Sequence, residues 1–373
     1  MKITSHIVTL LFLIFFTRPH TAFSQQSNDS TGFPESLEVG GFVDFYGEYN
    51  FSQPLSRINQ LRNFDFRHNR PDLNLAEISL LLPPKPLGFR LDLNYGPKTT
   101  NWIHSADLTR WEFLRYVQQF FISYKAPIGK GLTVDVGKFV TQHGAEVIET
   151  KDNWNYSRSL LFAWAIPYYH FGGRVGYTVN AKVTANAYLV NGWNNVWENN
   201  RGKTLGLQLV WTLHPKVVIV PNFMFGPEQA QNTSRKRFLF DFVTTYSATD
   251  KLSLMFNYDY GADHTGTEER VSWTGIGGYA RYALRPRLVI APRLEWFNDH
   301  EGFTTGQAQS LVEMTLTGEF KIKDSLFKWV DDDLSGRIEF RLDRSNIAFF
   351  ESNSGKKRNQ VTFLLGLFYV FAK

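Results

Sequence analysis

The chain has 373 residues, of which 43% are apolar, 20% charged and 16% aromatic; its formal net charge is +5 and it contains no cysteine. It is too apolar to stay disordered, and without cysteine it has no disulfide framework, thiol nucleophile or thiolate metal site. The positive charges form no basic stripe, so nucleic acid is not an expected partner.

The first 24 residues have the layout of a secretory signal peptide. Lys2 gives a positive start, Ile7–Phe16 is an apolar core, and Ala22 and Ser24 are the small residues read at the cleavage site. Ten apolar residues fall short of the roughly 20 that a membrane-spanning helix needs. The expected organisation is a signal peptide over residues 1–24, a short N-terminal segment over 25–37 and one domain over 38–373. No later segment is long and apolar enough to be a spanning helix, so membrane entry would require a closed β-barrel.

From residue 38 onward, apolar and polar side chains alternate with a period of two, the mark of strands with one apolar and one polar face. Leu252, Leu254, Phe256, Tyr258 and Tyr260, for example, alternate with Ser253, Asn257 and Asp259. The pattern predicts about sixteen strands: 38–51, 72–83, 86–96, 113–125, 131–140, 166–178, 182–191, 203–213, 216–226, 236–248, 251–261, 271–284, 287–298, 311–323, 335–344 and 359–371. Tight turns such as His214–Pro215 and Arg285–Pro286 follow the even-numbered strands, whereas long polar loops follow the odd-numbered ones. An antiparallel meander puts these two kinds of connection at opposite ends. That asymmetry points to an all-β, transmembrane, antiparallel up-and-down barrel of the Gram-negative outer membrane, with short periplasmic turns and long extracellular loops. A soluble sandwich or propeller has no need of it. The connection 324–334 is long for a turn and is expected to hold a short helix; Trp102, Trp111, Trp193, Trp197, Trp273 and Trp296 suit interfacial girdles.

The stretches GKFVTQHGAEVIE (137–149), NWNYSRSLLF (153–162), AIPYYHFGGRVGY (165–177), VNGWNNV (190–196) and NNRGKT (199–204) resemble the putative β-barrel porin-2 (OmpL-like) family. Weaker similarity runs from GGFVDFYGEYNF (40–51) to GRIEFRLDRSN (336–346), so the resemblance covers essentially the whole mature chain. It implies an outer-membrane β-barrel with a porin's activity, and supplies neither a solute nor pore residues.

A barrel of about sixteen strands encloses a lumen wide enough for water, and charges are costly on its lipid face. The polar faces therefore offer Arg90, Asp92, Arg174, Arg281, Arg293, Glu295, Arg337, Glu339 and Arg341 as pore-lining candidates. Arg337 and Arg341 are four apart on one face and, with Arg293, form a basic ladder that Glu295 and Glu339 partly cancel. The same charges can equally cross-brace the wall. The third long loop (141–165) carries Glu146, Glu149, Asp152 and Arg158 and ends in the apolar run 160–166. It is a candidate constriction if it folds inward; an ordered outer cap is the alternative. His170 is an isolated inward histidine, and His143, His264 and His300 have no metal-ligand spacing. No catalytic, metal or cofactor site is expected. The leading reading is a weakly selective, water-filled pore for passive diffusion of small hydrophilic solutes; the alternatives are a plugged barrel serving as adhesin or anchor, and a barrel hydrolase. Outer-membrane lipid and lipopolysaccharide are the other expected partners; the basic loop clusters 235–237 and 356–358 are candidates to touch their phosphates, with plain solvated loop charge the simpler reading, and a homo-oligomer is left open.

Overall fold

The computed structural model describes residues 36–105, 112–264, 269–324, 326–327 and 330–372. The expected signal peptide, Trp111 and all but the last two residues of the segment 25–37 lie outside the described residues. The first strands are β1 (Glu38–Asn50), β2 (Arg70–Leu82), β3 (Leu87–Tyr95), β4 (Val117–Ala126), β5 (Leu132–Val140), β6 (Tyr169–Asn180), β7 (Val183–Val190) and β8 (Thr204–His214). They are followed by β9 (Val217–Gly226), β10 (Arg237–Ser247), β11 (Leu252–His264), β12 (Arg270–Arg285), β13 (Leu288–Asp299), β14 (Gln309–Asp324) and β15 (Asp331–Ser345). A small surface hairpin, β16 (Phe350–Ser352) and β17 (Gly355–Lys357), precedes β18 (Asn359–Ala372).

Strands β1–β15 pair in chain order, and β18 pairs with both β15 and β1 to close a sixteen-stranded antiparallel barrel. Closure runs from Gly40 opposite Ala372 to Asn50 opposite Thr362. Closing the sheet leaves no unpaired edge, the condition for strands to sit in lipid. The period-two pattern sorts the faces. On β11, Leu254 and Phe256 point outward at 39% and 40% exposure, while Asn257 and Asp259 are buried inside. Short turns and long loops alternate between the two ends as the sequence predicts.

Three expectations are corrected. Residues 331–334, expected in a long connection, belong to β15, because β18 extends to Ala372 and offers Asp331–Leu334 a hydrogen-bonding partner. The described residues of the remaining turn (326, 327 and 330) are bends, not a helix. Nor do Trp102, Trp193 and Trp273 form girdles. Trp273 is buried inside, Trp102 packs edge-on against Trp164 of the third loop, and Trp193 packs edge-on against Trp273. Trp296 does face outward, alongside outward phenylalanines and tyrosines on many strands.

One glycine pair shapes the wall beside the third loop. Gly137 on β5 lies opposite Gly172 on β6, and both take positive φ (143° and 156°) that a side chain rarely adopts. A Cβ on either would collide with a carbonyl of the next strand, Phe120 O or Leu189 O. The two strands that launch and receive the third loop therefore face each other where only glycine fits.

Candidate constriction loop and solute path

The loop 141–168 enters the barrel rather than capping it. Its root is held on the β9–β11 wall, where the Gly144 amide donates to Asp241 Oδ2 (3.1 Å) and the Ala145 amide to Asn257 Oδ1 (3.4 Å). Asn222 and Asn257 also donate to Asp241 (2.6 and 2.9 Å), fixing that carboxylate for the loop. The loop then crosses to the opposite wall. Thr150 Oγ1 and Tyr156 OH donate to the two oxygens of Asp44 on β1 (2.5 and 2.7 Å). Gly366 on β18 makes room for the Tyr156 ring, which a Cβ there would overlap. The apolar end has the short helix Leu160–Trp164, capped by Ser159 Oγ accepting from the Phe162 amide (2.9 Å). Leu160 and Leu161 are wholly buried in the core cluster, where Gly275 of β12 leaves room for Leu161.

The basic ladder grips this loop. Arg337 donates to the carbonyls of Thr150, Asn153 and Asn155 (2.8, 2.6 and 3.0 Å). Arg293 donates to Ser157 O (2.7 Å) and pairs with Glu146 of the loop (2.7 Å) and Glu313 of the wall (3.0 Å). Arg341 donates to Arg158 O (2.5 Å) and Ser157 Oγ (3.2 Å). The acidic partners do the complementary work. Glu339 accepts from the amides of Tyr156 and Ser157 (2.7 and 3.0 Å), and Glu295 from those of Leu160 and Leu161 (2.8 and 3.3 Å). An irregular loop at membrane depth must satisfy its own backbone, and these five charged side chains supply the partners. All five face the lumen, as their register predicts, yet are at most 2% exposed.

The loop's own candidates divide. Glu146 is buried, accepting from the Ser159 amide (2.6 Å) as well as from Arg293. Arg158 braces the loop from within, donating to Val147 O (3.0 Å), Thr150 Oγ1 (2.9 Å) and the carbonyls of Ile148 and Tyr156. Glu149 accepts from Gln118 on β4 (2.8 Å), and Asp152 pairs with Lys151 (2.6 Å).

The lumen-facing charges that solvent reaches are others, among them Arg90 and Arg174 (23% and 20% exposed), each braced by a buried aspartate. Arg90 pairs with Asp92 (2.8 Å) and Arg174 with Asp135 (2.7 Å). Towards the short-turn end of β12–β15, Arg281 lies 3.8 Å from Glu319 and Lys321 2.7 Å from Asp333. These four side chains are 20–48% exposed. Both signs are present on each wall.

His170 hydrogen-bonds Thr141 Oγ1 (3.1 Å) and Gly192 O (2.9 Å), tying two loops to the strand. His143 is buried in the loop root, and burial, with His170 beside it, holds its pKa well below the usual range. Arg237, grouped in the sequence with an exposed basic cluster, turns inward onto Asp263 (2.7 Å), whereas Lys356, Lys357 and Arg358 are exposed. The loop 51–69, read from the sequence as a polar connection, also packs inward. Arg62 is buried between Asp65 (2.5 Å), Asp343 (2.9 Å) and Glu48 (3.6 Å), with Leu61 and Phe64 in the core. The apolar residues in LRNFDF (61–66) were the available signal.

Solved barrels share this architecture. OmpT of Vibrio cholerae superposes with a TM-score of 0.59 at 9% identity, covering 91% of this chain and 99% of its own. An anion-selective porin from Comamonas acidovorans gives 0.57 at 10% identity, covering 90% and 99%. The outer-membrane channel DcaP of Acinetobacter baumannii gives 0.57 at 10% identity, covering 90% and 96%. No curated protein sequence matches. Residues 36–371 match the family described as putative β-barrel porin-2, OmpL-like, and with that match spanning the whole barrel, the chain belongs to that family of outer-membrane porins.

Proposed function

We propose that the barrel is a constricted, weakly selective channel for passive diffusion of small hydrophilic solutes across the outer membrane. The observation that carries this is the third loop, fastened across the lumen by wall charges, with solvent-reached charges of both signs towards the short-turn end. A narrow, low-dielectric passage amplifies the effect of any fixed charge, and near-balanced signs leave little net preference. The pore-lining set under this reading is Arg90, Arg174, Arg281, Glu319, Lys321 and Asp333, with buried Asp92 bracing Arg90, while Arg293, Glu295, Arg337, Glu339 and Arg341 hold the loop. The exposed cluster 356–358 at the long-loop end suits lipopolysaccharide phosphates. A homo-oligomer is part of the proposal, prompted by the trimer form in which OmpT of Vibrio cholerae has been solved.

A plugged barrel serving as anchor or adhesin is the second reading. It draws on the burial of Asn155–Ala163, which fills the lumen at that level. Planar-bilayer recordings separate the two. The channel reading expects discrete conductance steps with a reversal potential near zero in a salt gradient. Silence in both the native chain and a chain lacking residues 145–159 overturns it in favour of the anchor.

A further inference from the structure

At the long-loop end lies a cavity of about 190 Å³, outside the loop-anchoring network. The end of the third loop contributes Trp164, the loop after β7 contributes Trp193 and Asn194, the loop after β13 contributes Phe303, and β10 and β12 contribute Arg237 and Trp273. The aromatic rings are fixed relative to one another. Trp273 stacks on Phe303 (5.5 Å between centroids, 14° between planes) and meets Trp193 edge-on (6.1 Å, 87°). Arg237 lies over Trp193, 4.6 Å from its centroid. Trp164, Trp193 and Phe303 are only half-buried, so aromatic surface remains open at the mouth where solute arrives.

From this arrangement we infer a binding site for a neutral saccharide ring. Rigid aromatic surface beside a few placed polar groups is the usual composition of a small-molecule site, and aromatic side chains combine large contact area with defined geometry. A sugar ring offers an apolar C–H face to such surface and hydroxyls around its edge. Donors for those hydroxyls are at hand, since Trp193 Nε1 and Asn194 Nδ2 have no protein partner among the described residues. Charge argues against an anion. Arg237, the one cation among the residues lining the cavity, is neutralised by Asp263 through Nε and Nη2 (both 2.7 Å), and Glu228 stands nearby on the Trp193 amide (2.7 Å). A negative ligand would find no uncompensated charge to meet. The volume lies below the roughly 300–1,000 Å³ of drug-sized pockets, which favours one ring at a time over a chain.

The inference rests on the channel reading by naming a solute class for it, and it is tested without conduction. Saturation-transfer NMR is recorded on the full barrel in nanodiscs with D-glucose, maltose and, as an aromatic anion, benzoate. The expected result is millimolar binding of both sugars, weakened at least fivefold in Trp193→Ala and in Asn194→Ala, with benzoate bound more weakly than either sugar. Each variant is first checked for heat-modifiable migration, and Asn194→Asp, which keeps the acceptor that holds the Tyr168 amide, serves where Asn194→Ala fails to fold. Absence of sugar binding, binding unchanged in the folded variants, or preferential benzoate binding overturns the site. Such a result with conductance intact leaves the channel standing, whereas binding without conductance places the site on a plugged barrel.

Discussion

Replacing Arg337 by Met tests whether the basic ladder anchors the third loop or lines a path. Met keeps most of the side chain's length and removes every donor. Three loop carbonyls lose their bond to the guanidinium, and those of Asn153 and Asn155 have no other hydrogen bond among the described residues. Bonds to a charged group contribute roughly 1.5–3 kcal/mol each, but they act as a unit and do not add. Removing one partner of a fully buried ion pair costs about 3–5 kcal/mol; Glu319 loses Arg337 but is 20% exposed and keeps Arg281 at 3.8 Å, so its share is smaller. Because Arg293, Arg341, Glu295 and Glu339 still hold the loop, we take about 3 kcal/mol as the loss of docking, roughly a hundredfold rise in the undocked population. The strands keep their own pairing, so the barrel should still fold. Bilayer recordings should show larger, noisier openings, and amide exchange over 147–158 should accelerate. Arg281→Gln is the contrast, since Arg281 is 39% exposed and its pair with Glu319 is long, at 3.8 Å. It should shift the reversal potential towards cations and leave loop exchange unchanged. A shifted reversal potential in Arg337→Met, with conductance and loop exchange unchanged, would refute the anchoring role.

Arg in place of Leu254, on the outward face of β11, should cost roughly 2–4 kcal/mol near the bilayer midplane, while Arg in place of inward Ser253 is tolerated; equal folding yields in lipid vesicles would contradict the register. Burial raises the pKa of Glu228, in the loop after β9, from 4.5 to about 7, opposed chiefly by Arg237. The folded loop thus holds this proton more tightly than the unfolded chain, so the stabilisation is full below about pH 4.5 and is lost as pH rises towards 7. Protection of the Trp193 amide, which donates to Glu228, should fall over that window after correction for intrinsic exchange, and Glu228→Gln should flatten the profile. Mass spectrometry of the mature chain should find Gln25 at its N-terminus, and an intact Met1 would exclude cleavage.

The barrel was legible because each strand states its two environments locally. Alternation in 252–260 separates lipid from lumen without reference to any other segment, and the length difference between connections sets the ends apart. Strand ends were legible only as far as the local pattern reached. Asp331–Leu334 carries three consecutive aspartates and no alternation, and its pairing is decided by the far end of β18. The tryptophans misled for a related reason. Trp273 follows the inward register of β12, but its aromatic character suggested an interface, whereas its indole N–H donates to Ala165 O of the third loop (3.0 Å).

What local reading does not reach is the use to which a lumenal charge is put. Arg90 and Arg337 are equivalent in the sequence: each is an inward arginine two residues from an inward carboxylate. Their difference arises from what crosses the lumen in front of them. Arg90 faces space that solvent reaches, whereas Arg337 faces the carbonyls of a loop about 180 residues away in the chain. A loop backbone brought into a barrel carries donors and acceptors of its own, and each must find a partner. Arginines supply the donors for its carbonyls and glutamates the acceptors for its amides. Alternating Arg337, Glu339 and Arg341 along one strand thus matches a peptide chain better than it matches an ion of either sign. The mixed sign that reads as weak selectivity in the sequence is, on this wall, the chemistry of gripping a backbone.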